Sequence, residues 1–197
     1  MAQGRTQYGW TSGQVIAGVL AMAAIVAASN FLVTIPITSV FGVDVDAATG
    51  WPVSQYVQWA ALTYPVAFLV TDVMNRGFGP NAARRVIAVG FAVGVALSLW
   101  LADWRIALAS GTAFLAAQLL DVSVFNRLRE GVWWKAPLVS SLMAGTLDSL
   151  LFWTLAFAGS DFAGWWNYGI VDWLVKLAVT AAMLIPFRAA TWNMRAV

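Results

Sequence analysis

The chain has 197 residues, 61% of them hydrophobic and only 10% charged, with a net charge of +2 and a mean hydropathy of +0.76. A soluble domain carries about 25% charged residues, so this composition excludes an ordinary soluble fold and predicts one membrane domain over residues 1–197. The small net charge gives no reason to expect nucleic-acid binding, the absence of Cys excludes disulfides and thiolate metal sites, and the absence of His removes the commonest metal ligand.

A spanning helix needs about 20 mainly apolar residues. Six stretches qualify, at 14–36, 53–74, 83–102, 105–126, 136–158 and 168–187. The expected fold class is therefore all-α, with six transmembrane helices. The first stretch is longer than the roughly 7–15 apolar residues of a secretory signal, and it holds Asn30, so it is read as a retained span. Segment 37–52 is read as a connection with turn residues and two acids, and 75–82 as another with Gly77, Gly79 and Pro80. A short turn is expected near Ala102–Trp104.

Basic residues set the orientation. Arg5, Arg76, Arg84, Arg85, Arg127, Arg129, Lys135, Arg188 and Arg195 fall on one side of this topology, and only Arg105 on the other. Lys and Arg accumulate in cytoplasmic loops, so both termini are expected in the cytoplasm. The third stretch contains Gly90-Phe-Ala-Val-Gly94. A GxxxG pattern serves either internal packing or a homodimer face. AFLVTDVMNR (67–76) echoes AFLAAQLLDVSVFNR (113–127), either a trace of duplication or convergent composition at two exits into the cytoplasm. Pro65 interrupts the second stretch, as expected of a kinked transporter helix.

The chemistry lies in the few polar groups set within apolar runs. Charge in hydrocarbon is costly, and such groups face the bundle interior or a water-filled cavity. Residues at i, i+3, i+4 and i+7 share a helix face. Those faces carry Asn30 and Thr34 on the first stretch, Asp72 on the second and Gln118 with Asp121 on the fourth. The fifth carries Ser141, Gly145 and Asp148, and the sixth Gly169, Asp172 and Lys176. Converging, they would line one polar cavity with aromatic walls.

Each has a plainer reading beside the functional one. Asp172 and Lys176, at i, i+4, can pair with each other. Asp72 and Asp121 can be clamped by Arg76, Arg84, Arg127 or Arg129. Asp148 has no basic neighbour on its own helix, which leaves Lys176 or a ligand as partner. Asn30 and Gln118 are interhelical glue or readers of a base edge. Trp59 and Trp153 are packing or stacking platforms. No catalytic motif is present, so neither enzymatic activity nor a cofactor is expected.

At SNFLV (29–33), TYPVAFLVTD (63–72), NRGFG (75–79), QLLDVSVFNRLR (118–129), WWKAP (133–137), LDSLLFW (147–153) and VDWLVK (171–176) the chain resembles the queuosine-precursor transporters, also called the vitamin uptake transporter family. The resemblance implies a bacterial inner-membrane importer of 7-cyano- and 7-aminomethyl-7-deazaguanine. It also implies a fold similar to the substrate-binding subunits of energy-coupling-factor transporters, with a substrate-capture subunit of that kind as the alternative function. Carried over position by position, the family's polar residues fall on Asn30, Asp72, Gln118, Asp121, Asp148 and Lys176. The expected substrate site is Asn30, Gln118, Asp148, Lys176 and Trp59, with Asp72, Asp121 and Asp172 in gating or coupling. The connection between the third and fourth stretches is shorter than in some members of the family.

Overall fold

The computed structural model describes residues 12–33, 35–40, 42–101 and 104–194. Thr34, Arg5, Arg195 and the turn at 102–103 lie outside the described residues. The described chain runs α1 (Ser12–Leu32), a two-residue hairpin β1 (Ser39–Val40) and β2 (Val43–Asp44), then α2 (Val45–Thr49) and α3 (Val53–Tyr56). Five long helices follow: α4 (Ala60–Phe78), α5 (Pro80–Leu101), α6 (Trp104–Leu128), α7 (Lys135–Phe157) and α8 (Trp165–Thr191). Five helices are long and apolar enough to cross a bilayer: α1, α5, α6, α7 and α8. The sixth long helix, α4, carries Asp72, Asn75 and Arg76.

The outside is apolar and the inside is mixed, the reverse of a soluble protein. Leu20, Leu108, Leu150 and Ile185 are exposed, whereas Asp72, Asn75, Gln118, Asp121 and Ser140 are buried. In hydrocarbon solvent an exposed leucine costs nothing, while a polar group must find a partner within the protein.

The second predicted stretch is where the elements differ most from expectation. It is not one helix from 53. Val57 is extended, its carbonyl accepts from the Ile37 N–H at 2.9 Å, and the Trp59 N–H donates to the Ile35 carbonyl at 3.0 Å. This bridge stops α3 after one turn, and α4 starts at Ala60. The same bridge, with Pro36, ends the first helix at Leu32 instead of 36. The connection expected at 75–82 shrinks to one residue. Gly79 adopts φ 82°, a conformation open to glycine, and Pro80 begins α5 where its missing N–H leaves no backbone bond unmade. In the segment between α1 and α4, Asp46 accepts from the backbone N–H and the hydroxyl of Ser54. Those bonds, led by the hydroxyl, hold its carboxyl below the usual carboxylate range.

The Gly90/Gly94 motif is spent inside the chain. A Cβ at Gly90 would come within 2.6 Å of Met22 Cγ, and one at Gly94 within 3.1 Å of Val26 Cγ1. Both glycines admit α1 against α5, so the motif offers no face to a second copy. Gly90→Val is expected to destabilise the protein by about 1–3 kcal/mol through overpacking. A melting curve in detergent checks this.

The two ends of the bundle differ in charge. At one end the Arg76 guanidinium donates to the Arg129 carbonyl at 2.6 Å, and Arg188 lies over Trp133 and Trp192, 5.1 and 4.3 Å from their ring centres. At the other end Arg105 donates to the carbonyls of Leu155 and Ala158, closing the start of α6 onto the end of α7.

Candidate functional site

Interior polar side chains gather in two nests stacked along α7. Lys176 of α8 organises the outer nest. Its Nζ donates to Asp148 Oδ2 at 2.8 Å, to Asp172 Oδ2 at 2.7 Å and to Ser149 Oγ at 3.2 Å. An ammonium has three donors, and all three are used. The Lys176 side chain is 8% exposed and that of Asp148 is 4% exposed. Ser149 Oγ donates to Asp172 Oδ2 at 2.7 Å, and Trp153 Nε1 reaches the same oxygen at 3.3 Å. The Tyr64 ring lies 5.5 Å from Nζ. Trp153 in turn stacks on Tyr168 at 5.9 Å and 30°, and Tyr168 meets Tyr56 and Phe162.

The local pair and the long-range pair weighed for Lys176 therefore coexist. Two carboxylates share one ammonium, and Asp148 Oδ1 remains buried with no hydrogen-bond partner. With both acids ionised, the nest is an acceptor with one negative charge in excess, roofed by aromatic rings. Gly169 makes the roof possible, because a Cβ there would sit 3.1 Å from Trp153 Cγ. Gly169→Leu is expected to displace Trp153 from Asp172 and to lower substrate uptake several-fold, measured as initial rate in proteoliposomes.

The inner nest joins α4, α6 and α7. Ser141 Oγ is 3.3 Å from Asp72 Oδ2 and 3.4 Å from Asp121 Oδ1, so one hydroxyl lies between two carboxyls. Ser140 Oγ is 3.5 Å from Asp72 Oδ1. The Thr71 hydroxyl, also against the Ala67 carbonyl, is 2.7 Å from the Gln118 amide. One end of that amide is thereby used, and Gln118 Nε2 has no partner. Asn75 Nδ2 donates to the Val122 carbonyl at 3.2 Å, leaving its Oδ1 unpartnered, as is Asp121 Oδ2. The constant offset of 47 positions in the Thr71–Gln118 and Asn75–Val122 contacts shows α4 and α6 lying parallel. Both nests touch the same face of α7: Ser141 and Asp148 stand two helical turns, about 10 Å, apart.

The arginine clamp on Asp72 and Asp121 is not formed among the described residues. Arg76 turns to the Arg129 carbonyl, Arg84 reaches Asn81 on its own helix, and Arg129, just past the end of α6, reaches back to Asn126. The ion pairs among the described residues are those of Lys176.

Asn30 and Trp59 lie elsewhere. Asn30 Nδ2 donates to its own helix at Val26, and its Oδ1 accepts from Ser98 Oγ of α5 at 2.9 Å. The third stretch, for which no polar face was named, thus supplies the partner. Trp59 packs with Ile37, Val57, Val171 and Val175. The structure brings together Asp148, Asp172 and Lys176 in one nest and Asp72, Gln118 and Asp121 in the other. Thr71, Asn75, Ser140 and Ser149 were missed. Ser149 and Ser140 adjoin singled-out residues, so adjacency was the available signal.

A single wide pocket, expected from five converging stripes, is not what the described residues form. One cavity of about 10 Å³ lies beside Asp72, lined by Pro65, Ser141, Thr180 and Phe187. Another of about 20 Å³ lies among Asn30, Tyr64, Ser110 and Phe114. A water needs roughly 10–15 Å³, and a small-molecule pocket about 300–1,000 Å³. Most of these side chains bond one another, four buried polar atoms among the described residues stay without a partner, and the helices close on them. A substrate-sized space requires helices to part, and Pro65 and Pro186, inside α4 and α8, each remove a backbone bond that would resist bending.

The profile of the family described as "Putative vitamin uptake transporter" matches residues 58–102 and 98–190. A "Probable queuosine precursor transporter" of Haemophilus influenzae is 32% identical, covering 86% of this chain and 82% of its own. The "Queuosine precursor transporter" of Escherichia coli is 30% identical with the same coverage. A "Probable queuosine precursor transporter" of Bacillus subtilis is 27% identical over 66% of this chain and 69% of its own. No solved structure gives a significant match. With the family profile spanning both nests, the chain belongs to the vitamin uptake transporter family.

Proposed function

We propose that this multi-pass protein of the bacterial inner membrane imports queuosine precursors, the 7-cyano- and 7-aminomethyl-7-deazaguanines. The observation that carries the reading is Asp148, a buried carboxylate held on one oxygen by Lys176 with the other oxygen unpartnered. A deazaguanine presents adjacent N–H groups on its pairing edge, which a carboxylate accepts. The Tyr64, Trp153 and Tyr168 rings suit a flat heterocycle. Lys176 sets the local charge, the Gln118 amide matches the carbonyl edge, and Asp72 and Asp121 serve the cytoplasmic gate or a coupling step. Asp172 shares Lys176 and moves with it in gating. Asn30 and Trp59 support the walls from α1 and from the start of α4.

All six long helices span the bilayer in this reading. Helix α4 is the sixth because Asp72 and Asn75 are buried against neighbours instead of facing lipid. An even number of spans puts both termini on one side, and the Arg76–Arg129–Arg188 end makes that side cytoplasmic. The likeness to energy-coupling-factor binding subunits is part of the same proposal. Proteoliposomes containing this chain alone test it with radiolabelled precursor. Saturable uptake supports an importer. Saturable binding without uptake supports the capture-subunit alternative instead, and absence of both binding and uptake would overturn both functions.

A further inference from the structure

Interior glycines in these helices mostly sit where a neighbour occupies the space of a side chain. A Cβ at Gly18 would overlap Met74 Sδ, one at Gly90 would lie 2.6 Å from Met22 Cγ, and one at Gly169 3.1 Å from Trp153 Cγ. Gly145 is different. It is buried in the middle of α7, yet a Cβ there would meet nothing within 4 Å. Packing does not demand a glycine at this position, and glycine is among the poorest residues for a helix interior. A single added carbon at Gly145 would enter unfilled space.

Its position joins the two nests. Gly145 follows Ser141 by four residues and precedes Asp148 by three, so all three share one face of α7. Ser141 touches the Asp72 and Asp121 carboxyls of the inner nest, and Asp148 is bound by Lys176 of the outer one. The carboxyls reached from this face on either side of Gly145 each keep one buried oxygen without a hydrogen-bond partner, Asp121 Oδ2 beside Ser141 and Asp148 Oδ1. Acceptors at both ends of a gap bounded by a bare backbone suit a planar ring with N–H groups on opposite edges.

We propose that the substrate heterocycle passes over Gly145 on its way from the outer nest to the inner one, and that the missing side chain sets the clearance. The proposal rests on the importer reading above. When α8 moves off α7 the gap widens, and the ring slides against the Gly145 backbone while its donors exchange Asp148 for Asp121.

The test is a size series, Gly145→Ala and Gly145→Leu, in the full chain. Each variant is melted in detergent and assayed in proteoliposomes with 7-aminomethyl-7-deazaguanine. Because the one added carbon enters open space, Ala should melt at or above the wild-type temperature. Uptake should fall several-fold for Ala and at least tenfold for Leu. Wild-type uptake by the Leu variant would overturn the proposal and leave the importer reading standing. Loss of folding in the Ala variant would also overturn it, because the glycine would then be a packing residue. Absence of uptake by the wild-type chain would sink both readings together.

Discussion

Lys176→Met should destabilise the protein by about 3–5 kcal/mol and abolish uptake. The ammonium is the only cation bonded to Asp148 and Asp172 among the described residues, at 2.8 and 2.7 Å. Removing it strands two carboxylates close together, Asp148 buried and Asp172 partly so, and breaking a buried pair costs more than the pair itself contributes. The triple variant Lys176→Met, Asp148→Asn, Asp172→Asn separates the two roles of the nest. With the charges gone and the shapes kept, it should recover much of the melting temperature, since neutral replacements for buried ion pairs are often well tolerated. It should not recover transport, because a neutral amide is a weaker acceptor for the substrate's N–H groups than a carboxylate. Melting in detergent and initial uptake rates give both readouts. A single Lys176→Met variant that melts like the wild type would mean that the ammonium is not what holds these acids.

Asp121→Asn should behave in the opposite way. Asp72 and Asp121 lie either side of one serine hydroxyl with no cation bonded to them among the described residues. Two carboxyls so placed would repel if both were ionised, and each bears a desolvation cost. An amide at 121 removes the repulsion while keeping an oxygen for Ser141. The melting temperature should therefore stay level or rise. Uptake should nonetheless fall at least tenfold under the proposed gating or coupling role, which needs the second acid of the inner nest. A protein optimised only for stability would not keep this pair, which is the physical reason to assign it to transport. If Asp121→Asn melted as poorly as Lys176→Met, a cation partner for the pair would have to exist and the assignment would fail.

The two variants differ in sign because the two nests differ in charge balance, and that balance is a property of tertiary packing. The acids themselves were visible in the linear chain. Asp72, Asp121 and Asp148 stand out because charge is scarce in apolar runs, and Asp172 with Lys176 stands out through i, i+4 spacing. The arginines near Asp72 and Asp121 in sequence suggested a clamp. In the folded chain Arg76 bonds the Arg129 carbonyl, and the acids turn to Ser140 and Ser141 of α7. Helical periodicity says which residues share a face. It does not say which neighbouring helix that face meets.

The same limit applies to Asn30 and Gly145. Asn30 shows a polar face on α1, but that the face meets Ser98 of α5 depends on the Gly90/Gly94 contact that draws α1 onto α5. Gly145 reads in the chain as one more small residue on a stripe, and only its neighbours reveal that the space above it is unfilled.

Membrane class, long helices and the identity of the interior acids follow from composition and spacing, because the cost of charge in hydrocarbon acts on each residue wherever the helices go. The helix breaks at Pro36 and Val57, the division of the polar groups into two nests and the sharing of one ammonium between two acids arise from contacts between residues far apart in the chain. Those contacts depend on how each helix is rotated and how closely it approaches its neighbours, quantities that emerge when all the helices pack together.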